Sequence, residues 1–174
     1  YRYDGNGNRT QVIDTRGATR TTYYNANNEV ALSVDGRGFA TRYVYDANGN
    51  VVSQTLHMTA LALLLDPAQT PNPATGAADQ TVRFGYDKLN RLVQRISAEG
   101  YAQTYVHDAV GNVIETRVNR DLAGTDVAVT RSWFDALDRE VARLTPERYL
   151  VTSAYDAVGN LVRSTTHTDR VDLP

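Results

Sequence analysis

The sequence contains no cysteine, so it has neither disulfide staples nor thiolate ligands for a metal. Lysine is almost missing as well: of 18 basic residues, only Lys88 is not arginine. The 20 acidic residues bring the formal net charge to −2, a balance that gives no electrostatic case for nucleic acid or an anionic membrane. Long apolar runs are lacking too. The longest, residues 60–65, is far too short to span a bilayer. Tyr1 rather than Met opens the chain, with no signal-peptide pattern after it, so the expectation is an internal fragment or a processed product.

Hydrophobic residues make up 41% of the 174, enough to bury a core and too many for a disordered chain. Tyrosine stands out, with 11 against 3 Phe and one Trp. It combines strand preference with a polar tip that tolerates water. Arginine suits fixed, planar contacts across a crowded sheet.

The phrase YDGNGN at Tyr3 returns as YDANGN at Tyr45, HDAVGN at His107 and YDAVGN at Tyr155. Recurrence marks a building unit before it marks a catalytic motif. The aromatics that open each unit are Tyr3, Tyr24, Tyr45, Tyr86, His107, Phe134 and Tyr155, spaced 21, 21, 41, 21, 27 and 21 residues apart. The repeated positions are these aromatics with Asp4, Asp46, Asp87, Asp108, Asp135 and Asp156, and with Gly49, Gly111 and Gly159. The units at Tyr24 and Phe134 are the most degraded, yet both keep the aromatic and a polar turn. A second phrase falls half a period later, as DTRG at Asp14, DGRG at Asp35 and SAEG at Ser97, with TPER at Thr145 a worn version.

In D-x-x-G the aspartate accepts hydrogen bonds from amides two or three residues on, and glycine closes the turn in the left-handed region. Between the turns lie segments such as FATRYVY at Phe39 and NVIETRV at Asn112, rich in Val, Thr, Tyr and Phe with polar residues interleaved. Two strands per 21 residues predict an all-β antiparallel meander of about twelve to fourteen strands, one repeat array over residues 1–174. The 41-residue gap holds an insertion at 57–80. Its first half extends a strand or forms about two turns of helix stopped by Pro67, and its apolar residues cover a sheet face or edge. The second half, with Pro71 and Pro73, reads as irregular loop.

An aromatic–Asp–x–x–Gly–Asn/Arg unit at a period of 21 resembles the YD repeat of the Rhs proteins. It is similar to the repeats of teneurins and of the shell components of insecticidal toxin complexes. The resemblance covers residues 1–168. It implies a long antiparallel ribbon coiled into a hollow β-shell, which in bacterial members encloses a C-terminal toxin. It further implies a secreted or cell-surface bacterial scaffold whose partners are the rest of its own longer chain and an enclosed polypeptide, and tyrosines stacked in rows along neighbouring strands. The Asp-Pro of DPAQT at Asp66 lacks the rest of the family's self-cleavage region, so no cleavage is carried over to it.

Candidate chemistry is sparse. Asp46, Asn48 and Asn50 alternate like the start of a calcium loop, but Val51 and His57 stand where such a loop needs Gly and Glu. The three histidines, His57, His107 and His167, have no metal-ligand spacing, and His107 simply occupies a tyrosine place. G-x-S-x-G is absent, and the aspartates sit at turn starts. The expectation is no enzyme, no cofactor and no metal. Trp133 is a candidate glycan contact, by stacking with Tyr and Arg around it. The preferred reading packs it inside the sheet layer. Three roles follow: a structural shell segment, an adhesin binding glycan or a partner surface, and a self-associating filament subunit.

Overall fold

The computed structural model describes residues 1–62 and 65–171. These residues form fourteen strands and no helix. They run as β1 (Arg2–Tyr3), β2 (Arg9–Ile13), β3 (Thr19–Tyr24), β4 (Val30–Val34), β5 (Ala40–Tyr45), β6 (Val51–His57) and β7 (Gln80–Tyr86). Then follow β8 (Leu92–Ile96), β9 (Ala102–His107), β10 (Val113–Asn119), β11 (Val127–Phe134), β12 (Glu140–Leu144), β13 (Tyr149–Tyr155) and β14 (Leu161–Arg170). The strand order in the sheet is the chain order, β1 to β14, and the pairing is antiparallel throughout the described ladders. This is the expected meander. The chain divides into two compact units, Tyr1–Gly85 with Ser97–Glu99 and Tyr86–Ile96 with Gly100–Pro174.

In the first unit, cross-strand pairing puts Tyr23 beside Leu32 and Val34 beside Ala40 on one sheet face. Leu32, Val34 and Ala40 have no exposure at all, and Tyr23 almost none. They are sealed by Leu61 and Leu65 of the insertion, so its apolar half does cover a sheet face. The tyrosine hydroxyl of Tyr23 donates to the Asp66 carbonyl at 3.1 Å, and Arg42 reaches Asn72 at 3.1 Å. Both bonds hold the insertion on the same face. Its outlines differ from expectation: β6 runs through His57, β7 starts at Gln80, and no described residue between them is helical. Leu63 and Leu64 lie outside the described residues. The helix loses because Leu61 and Leu65 gain more from packing on an apolar face than a two-turn helix gains from propensity.

Two details tie the insertion down. Gly38 has φ +89°, and a Cβ there would stand 2.5 Å from the Leu61 carbonyl oxygen. The Leu61 amide donates to the Gly38 carbonyl at 2.8 Å, so the glycine lets two backbones meet. At the insertion's base, His57 Nδ1 and Asp79 Oδ2 lie 2.9 Å apart, and Asp79 Oδ1 accepts the Met58 amide at 2.9 Å. This clasp joins the ends of β6 and β7. The Asp79 carboxyl is held below its ordinary range, first by the amides of Met58 and Gly76 and then by His57.

Candidate functional site

The repeated phrase builds a fixed turn. At Asp46, Gly49 N donates to the Asp46 carbonyl at 3.2 Å and Asp46 N donates to the Asn50 carbonyl at 2.9 Å. The carboxylate then caps the loop from inside: Oδ1 accepts the amides of Asn48 and Asn50, and Oδ2 accepts the Asn50 side chain at 3.0 Å. Asp4 and Asp156 repeat the pattern with Asn8 and Asn160. The partner amides sit two and four residues on, not two and three. Asp108 uses the third as well, through Gly111. The αL residue is the fourth of each turn: Gly49, Gly111 and Gly159, but also Asn28, Asn90, Asp138 and Arg148 in the worn units. Asparagine and aspartate tolerate that region better than most side chains, which keeps most degraded phrases competent.

In the two aspartate turns after an opening aromatic that lack asparagine at the fifth place, arginine substitutes. Arg91 Nε donates to Asp87 Oδ2 at 2.7 Å, and Arg139 Nε to Asp135 Oδ2 at 2.8 Å. The rigid fork then reaches further: Arg91 Nη1 meets the Asp108 carbonyl at 2.7 Å, and Arg139 Nη1 the Asp156 carbonyl at 3.4 Å. Arg139 also lies 4.8 Å from the Tyr155 ring centre. Elsewhere asparagines join neighbouring turns, Asn8 to Asn28 and Asn112 to Asp138.

The opening aromatic has a defined place in the sheet. Each closes its hairpin opposite the residue six places on, as in Tyr24 with Val30, Tyr45 with Val51 and Phe134 with Glu140. A bulge falls just before it. These aromatics stand on alternate strands, with one strand between each and the next. A link to the neighbouring unit runs through hydroxyls. Tyr24 donates to the Arg9 carbonyl at 3.2 Å, Tyr45 to Val30 at 2.9 Å, and Tyr155 to Glu140 at 3.0 Å. The acceptor is always 15 residues earlier, opposite the previous unit's aromatic. Tyr86 closes β7 in the equivalent place, and Tyr3 lies exposed in β1. His107 ends β9 with its Nδ1 buried and without a hydrogen-bond partner among the described residues. Phe134 has no hydroxyl to give.

The turn carboxylates cap their own loops. Asp46 and Asp156 are held below the ordinary range chiefly by the asparagine side chains they accept, and Asp135 by Arg139. At Asp108 burial pushes upward, but Asn112 and three backbone amides outweigh it. Carboxylates that accept from their own loop are turn caps.

Trp133 departs from expectation. It is 46% exposed on β11. It lines an open cleft of about 580 Å³ with Val106, Ile114, Phe134, Glu115 and Arg131. Glu115 takes Arg131 and Arg117 at 2.7 and 2.6 Å, and these arginines, Arg131 first, lower its carboxyl. A flat aromatic beside a fixed ion pair is a surface for a polar, planar-faced ligand. Sequence reasoning saw the tryptophan but not the pair, which needs the β10–β11 register to bring Glu115 opposite Arg131.

No protein-family model matches the chain, and no curated protein matches it. Solved structures do. The chain is similar to one in the crystal structure of TcdB2-TccC3, with a TM-score of 0.69 and 15% identity over 95% of this chain and 9% of that one. It is similar to TcdB2-TccC3 without the hypervariable C-terminal region, at 0.66 and 15% over 90% and 8%. It also resembles a chain of the Photorhabdus luminescens Tc holotoxin pore, at 0.53 and 13% over 92% and 10%. At such identities the fold is what is shared. The chain spans a tenth or less of the length of each of these three chains.

Proposed function

We propose that this chain is a stretch of wall in a Rhs/YD-repeat β-shell, a non-catalytic scaffold that encloses a polypeptide such as a toxin domain and helps deliver it. The shell belongs to a secreted or surface-exposed bacterial protein far longer than this piece. The observation that carries the reading is uncovered sheet. The chain exposes 11538 Å². Two separate compact globules of half its mass would together expose only about 10,200 Å². Sheet surface left open on this scale calls for cover, and in a shell the cover is supplied by neighbouring ribbon and by cargo. The turn ladder fits the task, because it fixes hairpin to hairpin without cofactor or disulfide. Fold likeness to toxin-complex chains and the 21-residue period support the same reading.

The test is protease protection of the longer protein in its native state, read by mass spectrometry. A C-terminal fragment that survives only while the repeat wall is intact is the expected result. Digestion of everything beyond the repeats under the same conditions counts against enclosure. A second reading rests on the exposed Trp133 and its cleft: an adhesin module that binds glycan. A saturable glycan-array signal removed by Trp133→Ala, with the fold intact, favours that reading.

A further inference from the structure

The cleft at Trp133 has a counterpart in the first unit. Counted from the opening aromatics, the ladders of the two units agree. Tyr23 pairs with Leu32 as Trp133 pairs with Ala142, and Val34 with Ala40 as Leu144 with Leu150. Gln11 faces Thr21 as Glu115 faces Arg131. The walls agree too: Asp4, Thr10 and Asn28 line the first cleft where Asp108, Ile114 and Asp138 line the second. What differs is the cover. Pro67, Ala68 and Thr70 of the insertion line the first cleft, whose volume is about 250 Å³ against about 580 Å³ for the second. Tyr23 is 3% exposed beneath that cover, and Trp133, without one, 46%.

The start of the cover is repeated as well. Leu61 lies 16 residues past Tyr45 and its amide donates to the Gly38 carbonyl at 2.8 Å. Val171 lies 16 residues past Tyr155 and its amide donates to the Arg148 carbonyl at 2.9 Å. Gly38 and Arg148 are themselves equivalent, each a left-handed turn residue 14 places past its opening aromatic, Tyr24 or Phe134. Four residues past Leu61, Leu65 packs against the cluster of Tyr23 and Leu32. The next residue, Asp66, offers its carbonyl to the Tyr23 hydroxyl. We propose that the longer chain covers the Trp133 cleft in the same way, with the residues just beyond Pro174 packed over Trp133. The fourth residue past Val171 is then apolar and stands in the place of Leu65, and the next carbonyl accepts the indole N–H. Val110 and Ile114 replace Asn6 and Thr10 in the cleft wall, so the covering segment is at least as apolar as residues 61–65. Burial of these side chains drives the docking. The inference rests on the reading that this chain is a piece of a longer wall.

Trp133 is the only tryptophan, so its fluorescence reports this cleft alone. Two chains are compared: residues 1–174, and the same chain extended by a native stretch as long as residues 58–79, any added tryptophan being replaced by phenylalanine. Acrylamide should quench Trp133 readily in the shorter chain. In the extended chain quenching should fall at least threefold and the emission should move to the blue. Aspartate at the fourth place past Val171 should restore quenching, with circular dichroism unchanged. If the extended chain does not fold, a synthetic peptide with the sequence of residues 61–70, added to the shorter chain, should protect Trp133. The same peptide with serine for every leucine should not. Equal quenching in both chains, a native chain that ends at Pro174, a charged native residue four places past Val171, or a glycan that protects Trp133 in the extended chain would overturn the proposal. If Trp133 stays open in the extended chain while the longer protein still shields a C-terminal fragment from protease, this inference falls and the wall reading stands.

Discussion

Replacing His107 by tyrosine should stabilise the protein. His107 occupies the place from which Tyr24, Tyr45 and Tyr155 each donate to a carbonyl 15 residues earlier, and the matching acceptor is Leu92, the first residue of β8. The imidazole leaves Nδ1 buried without a partner. A tyrosine there gains one hydrogen bond, about 1 kcal/mol net, and removes a stranded polar atom worth about 1–3 kcal/mol. Solvent reaching this half-buried edge reduces the second contribution, so the expected gain is about 1–2 kcal/mol. The opposite change, Tyr45→Phe, removes the 2.9 Å bond to Val30 and should cost about 1 kcal/mol. In a unit of this size 1 kcal/mol moves a melting midpoint by roughly 4–8 °C. Because the chain has two compact units, calorimetry should assign the His107 gain to one transition and the Tyr45 loss to the other. The exposed Tyr3 is the control, with no change expected in Tyr3→Phe. If Tyr24→Phe, Tyr45→Phe and Tyr155→Phe all match the control and His107→Tyr melts no higher than the parent, the hydroxyl link carries no stability and the reasoning is wrong.

Other outcomes follow from the same geometry. Gly38→Ala should cost more than about 2 kcal/mol, since it adds αL strain to a backbone clash, whereas Gly111→Asn should fall below 1 kcal/mol; urea midpoints compare them. Arg139→Lys should destabilise the second unit by about 1–2 kcal/mol, because an ammonium cannot hold Asp135, the Asp156 carbonyl and the Tyr155 ring together. The lowered carboxyls of Asp4, Asp35, Asp46, Asp87, Asp108, Asp135 and Asp156 fix the sign of acid sensitivity. Their stabilisation is present above the unfolded carboxyl range, about pH 4, and is lost as pH falls through the folded values. Unfolding should therefore take up protons below about pH 4, and a urea midpoint constant from pH 6 to pH 2.5 would contradict the capping role.

The architecture was largely legible because its cause is local. A turn that uses Asp for amides and Gly for the left-handed residue announces itself wherever it occurs, and the 21-residue period turns each announcement into a strand pair. Even Arg91 and Arg139 stand where the chemistry needs a donor to the aspartate. What escaped depends on register. Nothing in the spacing says that Tyr45 bonds Val30, since that requires β4 and β5 to be paired with Leu32 against Arg42. The His57–Asp79 clasp joins residues 22 apart in chain across a segment whose composition suggested helix. The place of Trp133 at the end of the long hairpin suggests an interior residue, whereas the sheet leaves it 46% exposed.

The central claim is that this sheet is wall. Electron cryomicroscopy of the intact longer protein tests it most directly. The account predicts a closed β-shell in which this chain forms part of the wall and protein density lies against its inner face. An open ribbon with solvent on both faces of this chain and no enclosed density would contradict it.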